Sequence, residues 1–152
     1  MIEPPGTLDG GDICEAGNHY FLGVSARTNT EGARQLAAIL ARQGYTASCI
    51  DVRRVPGILH LKSGIAWLGE KRIVAIDALA GHPALSGWEI VHVAPDEAYA
   101  ANCLRVNGHL LLPAGFPQLA ERLRQLGYTL LELEMSEFQK MDGGLSCLSL
   151  RF

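Results

Sequence analysis

Cys147 in MDGGLSCLSLRF, His60 in GILHLKSG, Asp9 and Asp12 in TLDGGD, and Arg27 in SARTNTEG are the residues of this 152-residue sequence whose types could combine into chemistry. A thiol is a nucleophile only as thiolate, so Cys147 needs a base or cation beside it to bring its pKa below about 8.5. His60 suits that role because it follows a Pro-Gly loop, whereas His19, His82, His92 and His109 fall in strand or turn patterns. An imidazole acting as base needs a third group to orient it, and a carboxylate of the DGGD segment is the candidate. Arg27, just ahead of a helix marked by Thr28 and Glu31 as a capping box, suits bidentate capture of a carboxylate. Each residue also has a plainer reading. An isolated Cys is commonly a buried structural thiol, a loop His a surface residue, Asp-Gly-Gly a turn that bonds its own backbone, and a lone Arg a solvated one.

The elements that must position these residues repeat along the chain. From Asp12, DICEAGNHYFLGVS reads as a hairpin, TEGARQLAAILARQG as a helix and YTASCIDV as a closing strand. The second unit runs through GIAWLGEKRIVAID, the short helical segment ALAGHPALSGW and EIVHVA; the third through NCLRVNGHLLLPA, FPQLAERLRQLGY and TLLELEM. Asn107-Gly108 is a strong two-residue turn signal. Leu36, Ile39 and Leu40 share one helix face, Leu119, Leu123 and Leu126 another, and Gly44 and Gly127 stop those helices. The last segment, SCLSLRF, reads as an unpartnered strand on which alternation puts Cys147 with Ser149 and Arg151, away from Leu148, Leu150 and Phe152. The expected fold class is α/β: ββαβ units forming about three blades of a propeller, as one domain over residues 1–152.

Composition narrows the function. Apolar residues make up 48% and charged residues 19%, with a formal charge of −3 and scattered cations. A chain of this length buries roughly 70% of its unfolded surface, and with no basic stripe nucleic acid is not an expected partner. MIEPPGTLDGG has no basic or apolar leader character and no run approaches a membrane span, so a cytoplasmic protein is expected, with no membrane partner. Cys14, Cys49, Cys103 and Cys147 form no CxxC pair and have no paired histidines, which argues against a zinc site or a disulfide framework. Cys14, Cys49 and Cys103 are expected to be buried thiols.

In order and interval, PGTLDGGD, GVSARTN, LHLKS, DEAYAANCLRVNGHLLLP and MDGGLSCLSL resemble the dimethylarginine dimethylaminohydrolases. The resemblance covers nearly the whole chain but only the C-terminal three fifths or so of such an enzyme. It implies a five-bladed pentein-type propeller with the active site in its central channel. It implies Cys147 as nucleophile, His60 as acid and base, and Asp9 as the carboxylate that orients His60. Arg27 then anchors a substrate carboxylate, and Asp142 and Ser63 contact the substrate or line its pocket, with Asp12 a further candidate. No cofactor or metal is required.

The related arginine deiminases usually carry an acidic residue two positions after the histidine, where Lys62 stands here, so the HLKS form sits closer to the methylarginine hydrolases. The family's N-terminal blades, with acidic residues that clamp the guanidinium, a second arginine and a lid, are not in this sequence. Little activity is therefore expected from this chain alone, and a complementing N-terminal half or a homo-oligomer is the expected protein partner. Two alternatives stay open: a non-catalytic propeller module acting in self-association or partner binding, and a deiminase or amidinotransferase acting on arginine, agmatine or another guanidine.

Overall fold

Alternating apolar residues on either side of Gly17 fold the first hairpin: β1 (Ile13–Ala16) pairs antiparallel with β2 (His19–Val24), and Gly17 turns at φ 65°. The computed structural model describes residues 1–149. Helix α1 (Thr30–Arg42) returns the chain so that β3 (Thr46–Asp51) lies parallel to β2. The order recurs with β4 (Ile65–Gly69), β5 (Arg72–Ile76), α2 (Asp77–Ala80) and β6 (Glu89–Val93), then with β7 (Leu104–Val106), β8 (His109–Pro113), α3 (Pro117–Gln125) and β9 (Thr129–Leu133). Each unit is one three-stranded sheet, antiparallel then parallel, with the hairpin's second strand in the middle.

The predicted units and their turn chemistry are all present. Asn107 and Gly108 both take positive φ, 46° and 82°, as the two-residue turn requires. In the second unit the helix is only four residues long, and Pro83 starts a separate 3-10 turn, Pro83–Leu85.

The first strands gather at the centre, β1 beside β4 and β4 beside β7. One continuous core joins the three sheets through residues such as Phe21, Ile65, Ile73, Leu110, Leu112 and Leu123. At roughly 2 kcal/mol for each fully buried Leu, Ile or Phe, this shared core fixes the sheets against one another and so fixes the loops at their ends. No helix of the described residues is long and apolar enough to cross a membrane.

Three expectations need correction. SCLSLRF does not extend as a strand where it is described: the N–H groups of Cys147 and Leu148 both donate to Gly144 O, at 3.0 and 3.3 Å, which closes a helical turn. Strand alternation therefore says nothing about where Cys147 faces, and residues 150–152 lie outside the described residues. Cys49 is exposed rather than buried, because β3 is an outer strand. Helix α1 is capped by Asn29, whose side chain accepts from Gly32 N–H, and not by Thr28. The Thr28 hydroxyl donates to the Asp12 carboxylate instead.

Candidate functional site

The chain before β1 is tied down by a buried carboxylate. Asp12 is 0% exposed; its Oδ2 accepts from the hydroxyls of Ser25 and Thr28, both at 2.7 Å, and its Oδ1 accepts from Leu61 N–H at 3.0 Å. Hydrogen bonds to a buried charged acceptor are each worth about 1.5–3 kcal/mol. Three segments far apart in sequence therefore meet at one point: the DGGD turn, the loop that carries Arg27, and the loop that carries His60. The same Thr28 hydroxyl accepts from Asp9 N–H at 2.9 Å, so Thr28 links the two carboxylates of the motif.

Asp9 faces outward from this knot as N-cap of the 3-10 turn Gly10–Asp12. Its Oδ1 accepts from Gly11 N–H at 2.8 Å and lies 3.4 Å from His60 Nε2, while its Oδ2 lies 3.6 Å from Arg27 Nη1. The Gly11 N–H, with help from His60 and Arg27, holds the Asp9 carboxyl below its ordinary range, so it stays ionised. The His60 side chain is 14% exposed. Although within ion-pair range of Asp9, its Nε2 is off the line of a hydrogen bond and has no hydrogen-bond partner among the described residues. Gly11 also supplies room for the ring: a Cβ there would lie 2.6 Å from His60 Cγ.

Beyond His60, the backbone tightens into the 3-10 turn Leu61–Ser63, with Ser63 N–H donating to His60 O. Ser63, Gly57, Ile58 and Leu59 form part of the wall of a cleft of about 290 Å³, and Asp142 and Gly144 of the Cys147 loop form another part. Tyr99 and Asn102 line the same cleft. Cys147 itself is exposed. Burial raises the pKa of the Tyr99 phenol, and its nearness to Cys147 adds to that. Helix α4 (Ser136–Gln139) leads into this loop, and Asp142 ends it in the left-handed region, φ 55°. There Asp142 N–H donates to Gln139 O and Gly143 N–H to Phe138 O, the helix-terminating pattern in which Gly usually holds the left-handed position.

Of the residues singled out in the sequence, the structure brings Asp9, His60 and Arg27 together, and brings Ser63 and Asp142 onto one cleft. Asp12 stands apart: it is enclosed, with both oxygens engaged, so it holds the site's loops in register and leaves Asp9 as the carboxylate a cation can reach. Arg27 is 64% exposed, free to meet a ligand, and a pair with Asp9 that open to water contributes under about 1 kcal/mol. Lys62 lines a second cleft of about 210 Å³, with Cys14 and Glu15 of the first inner strand and with Ser146 and Ser149 on either side of Cys147. Among the described residues no cluster of three or more His, Cys, Asp or Glu could hold a metal ion.

Sequence reasoning missed Gly11, Tyr99 and Asn102. The last two carry a signal of their own, a Tyr and an Asn spaced by three in an Ala-rich segment opened by Pro95, the repeat of a 3-10 turn.

No family model matches the chain. It is 44% identical over 151 residues to the dimethylarginine dimethylaminohydrolase of Pseudomonas aeruginosa, covering 99% of this chain and 58% of that protein. It is 34% identical over 147 residues to the Streptomyces coelicolor protein of the same name, covering 97% of this chain and 55% of that one. A solved structure of the Pseudomonas enzyme, a cysteine-to-serine variant complexed with citrulline, superposes with a TM-score of 0.91 at 42% identity, over 99% of this chain and 58% of that one. The chain thus spans somewhat more than half the length of the curated relatives it matches, and over that part it is a homologue of dimethylarginine dimethylaminohydrolase.

Proposed function

We propose that this chain supplies the nucleophile, the acid-base residue and one carboxylate anchor of a hydrolase that converts a methylated arginine to citrulline and a methylamine. The observation that carries the proposal is the Asp9–His60 arrangement: an ionised carboxylate 3.4 Å from an imidazole whose loop walls the same cleft as the loop bearing Cys147. Similarity to the Pseudomonas enzyme along 99% of the chain favours this reaction over other guanidine chemistry.

In the proposed reaction the Cys147 thiolate adds to the guanidinium carbon of dimethylarginine, making a C–S bond. His60, protonated and steadied by Asp9, gives its proton to the dimethylamine nitrogen as that C–N bond breaks, leaving an S-alkylthiouronium on Cys147. Neutral His60 then takes a proton from water as its oxygen attacks the same carbon. The C–S bond breaks as the proton left on the added hydroxyl passes to water, citrulline leaves and the thiolate returns. Proton transfer by a positioned residue of this kind contributes roughly 10²–10⁴-fold. Arg27 meets the substrate's carboxylate, and Ser63 and Asp142 meet the guanidinium end across the cleft.

In this reading the three sheets are blades of a five-bladed propeller, and turnover needs the other blades, supplied by a longer chain or by a second one. Exposed Leu131, Leu133, Phe138, Met141 and Leu148 suit a surface that such a neighbour covers. The same residues are what favours the alternative of a non-catalytic module that self-associates. The test is a fusion of this chain to the N-terminal portion of the Pseudomonas relative, assayed for citrulline from dimethylarginine. Citrulline that disappears in Cys147→Ser is expected; none above the level of either part alone sinks the proposal.

A further inference from the structure

Cys147 is exposed, so its location is inherited from the backbone before it rather than from packing of its own side chain. That backbone, Asp142–Ser146, contains two glycines and no regular element among the described residues. Fixing such a segment costs conformational entropy at every residue, so something outside it has to hold it.

Two side chains do. The Tyr99 hydroxyl donates to Gly143 O at 2.6 Å, and Ser146 N–H donates to Asn102 Oδ1 at 2.9 Å. The two bonds bracket Gly144, whose bare Cα lets the Asn102 amide close in: a Cβ there would lie 2.2 Å from Nδ2. Gly144 O in turn accepts from the Cys147 N–H. The seat from which both side chains project is itself rigid. Ala100, Ala101 and Cys103 are buried in the core, and the carboxylate of Glu97, also buried, accepts from Gln118 and Leu119 N–H at 2.9 and 2.7 Å, bolting the 3-10 helix Pro95–Ala101 to the start of α3.

We propose that Tyr99 and Asn102 are positioning residues for the nucleophile, gripping Gly143 and Ser146 so that Cys147 is presented to a guanidinium in the cleft; this rests on the reading of Cys147 given above. Both act through bonds to the loop's backbone. Their part is to hold the geometry of attack, where a misplacement of 1 Å can cost about 10²-fold.

The test uses the chain with Cys49→Ser, which removes the other exposed thiol. Cys147 is captured in parallel by chloroacetamidine, a cationic probe shaped like a guanidinium, and by neutral iodoacetamide, and the ratio of the two rates is divided by that for free cysteine. Hydrogen exchange of the Ser146 amide is followed on the same samples. Tyr99→Phe, which deletes one oxygen, and Asn102→Ala are expected to lower the normalised ratio by about tenfold or more. Asn102→Asp, which keeps an acceptor for Ser146 N–H, is expected to recover most of it. Ser146 exchange should quicken by about tenfold or more in Asn102→Ala and not in Asn102→Asp.

Unchanged exchange in Asn102→Ala would mean the grip is absent and overturns the proposal. Faster exchange with an unchanged ratio would reduce both residues to loop scaffolding and overturns it equally. If the parent chain's ratio matches free cysteine while Ser146 is still protected by Asn102, the reading of Cys147 as a guanidinium nucleophile has failed and the proposal falls with it.

Discussion

The Asp12 carboxylate accepts the N–H of Leu61, 49 residues further along the chain, at 3.0 Å. Leu61 follows His60 directly, and the other oxygen of Asp12 holds the Ser25 and Thr28 hydroxyls that flank Arg27. A single buried side chain thus sets the distance between the imidazole and the arginine. Removing it leaves three buried donors unpaired, and Asp12→Ala is expected to lower unfolding stability by about 3 kcal/mol or more, read from urea unfolding of both proteins. A loss below about 1 kcal/mol would mean that water replaces the carboxylate and the hub is not structural.

Gly11 tests the contact between the DGGD turn and the imidazole. An added methyl there points at the His60 ring, 2.6 Å from Cγ, and the ring must move. Gly11 N–H also fixes Asp9 Oδ1. In the fusion assay, Gly11→Ala is expected to lower kcat by about 10²-fold with a smaller effect on KM, because binding groups stay while the proton-transfer geometry is lost. If kcat is unchanged, the ring has room the structure does not show.

The legible parts of this molecule were those governed by local chemistry. Alternation, the Asn107-Gly108 turn and the helix faces of α1 and α3 announce the ββαβ units because each depends on residues within one turn or hairpin. The alternation of SCLSLRF predicts a strand for Cys147, yet Asn102 Oδ1 captures the Ser146 N–H and the segment coils into a turn instead. Thr28 failed as a helix cap for the same kind of reason: Asp12, sixteen residues earlier, takes its hydroxyl. Side chains reaching across the fold decided both, and no window of sequence contains them. Asp9 and His60 could be paired by resemblance, but their 3.4 Å separation rests on Asp12 and Gly11, which look in sequence like ordinary turn residues.

Asp142 sits at φ 55°, where an Asp costs about 1 kcal/mol or more relative to the glycine this kind of helix end usually carries. A strained residue on the wall of the cleft suggests that its carboxylate is kept for binding. Asp142→Gly is expected to raise stability by about 1 kcal/mol in urea unfolding while raising KM for dimethylarginine in the fusion. A variant that gains stability with KM unchanged would remove Asp142 from the substrate site and leave it as helix punctuation.

The four thiols divide two and two. Cys14 and Cys103 are buried, and burial pushes each pKa up to about 12; Cys49 and Cys147 are exposed. Under native conditions iodoacetamide should therefore modify two cysteines and reach the other two only on unfolding, as counted by mass spectrometry. The buried pair also gives stability a pH slope of known sign. Below about pH 9 both thiols are neutral whether the chain is folded or not, and their burial costs no ionisation. As pH rises from about 9 toward 12, the unfolded chain loses these protons while the folded chain keeps them, so the folded state loses about 1.4 kcal/mol per pH unit for each thiol. Comparing urea unfolding at pH 8.5 and about pH 10.5 with that of Cys103→Ala isolates one of the two, since the variant lacks that thiol's share of the slope while every other titrating group is common to both proteins. An equal pH dependence in the two proteins would mean that the Cys103 thiol ionises as readily folded as unfolded, and that the core around the inner strands is open to water.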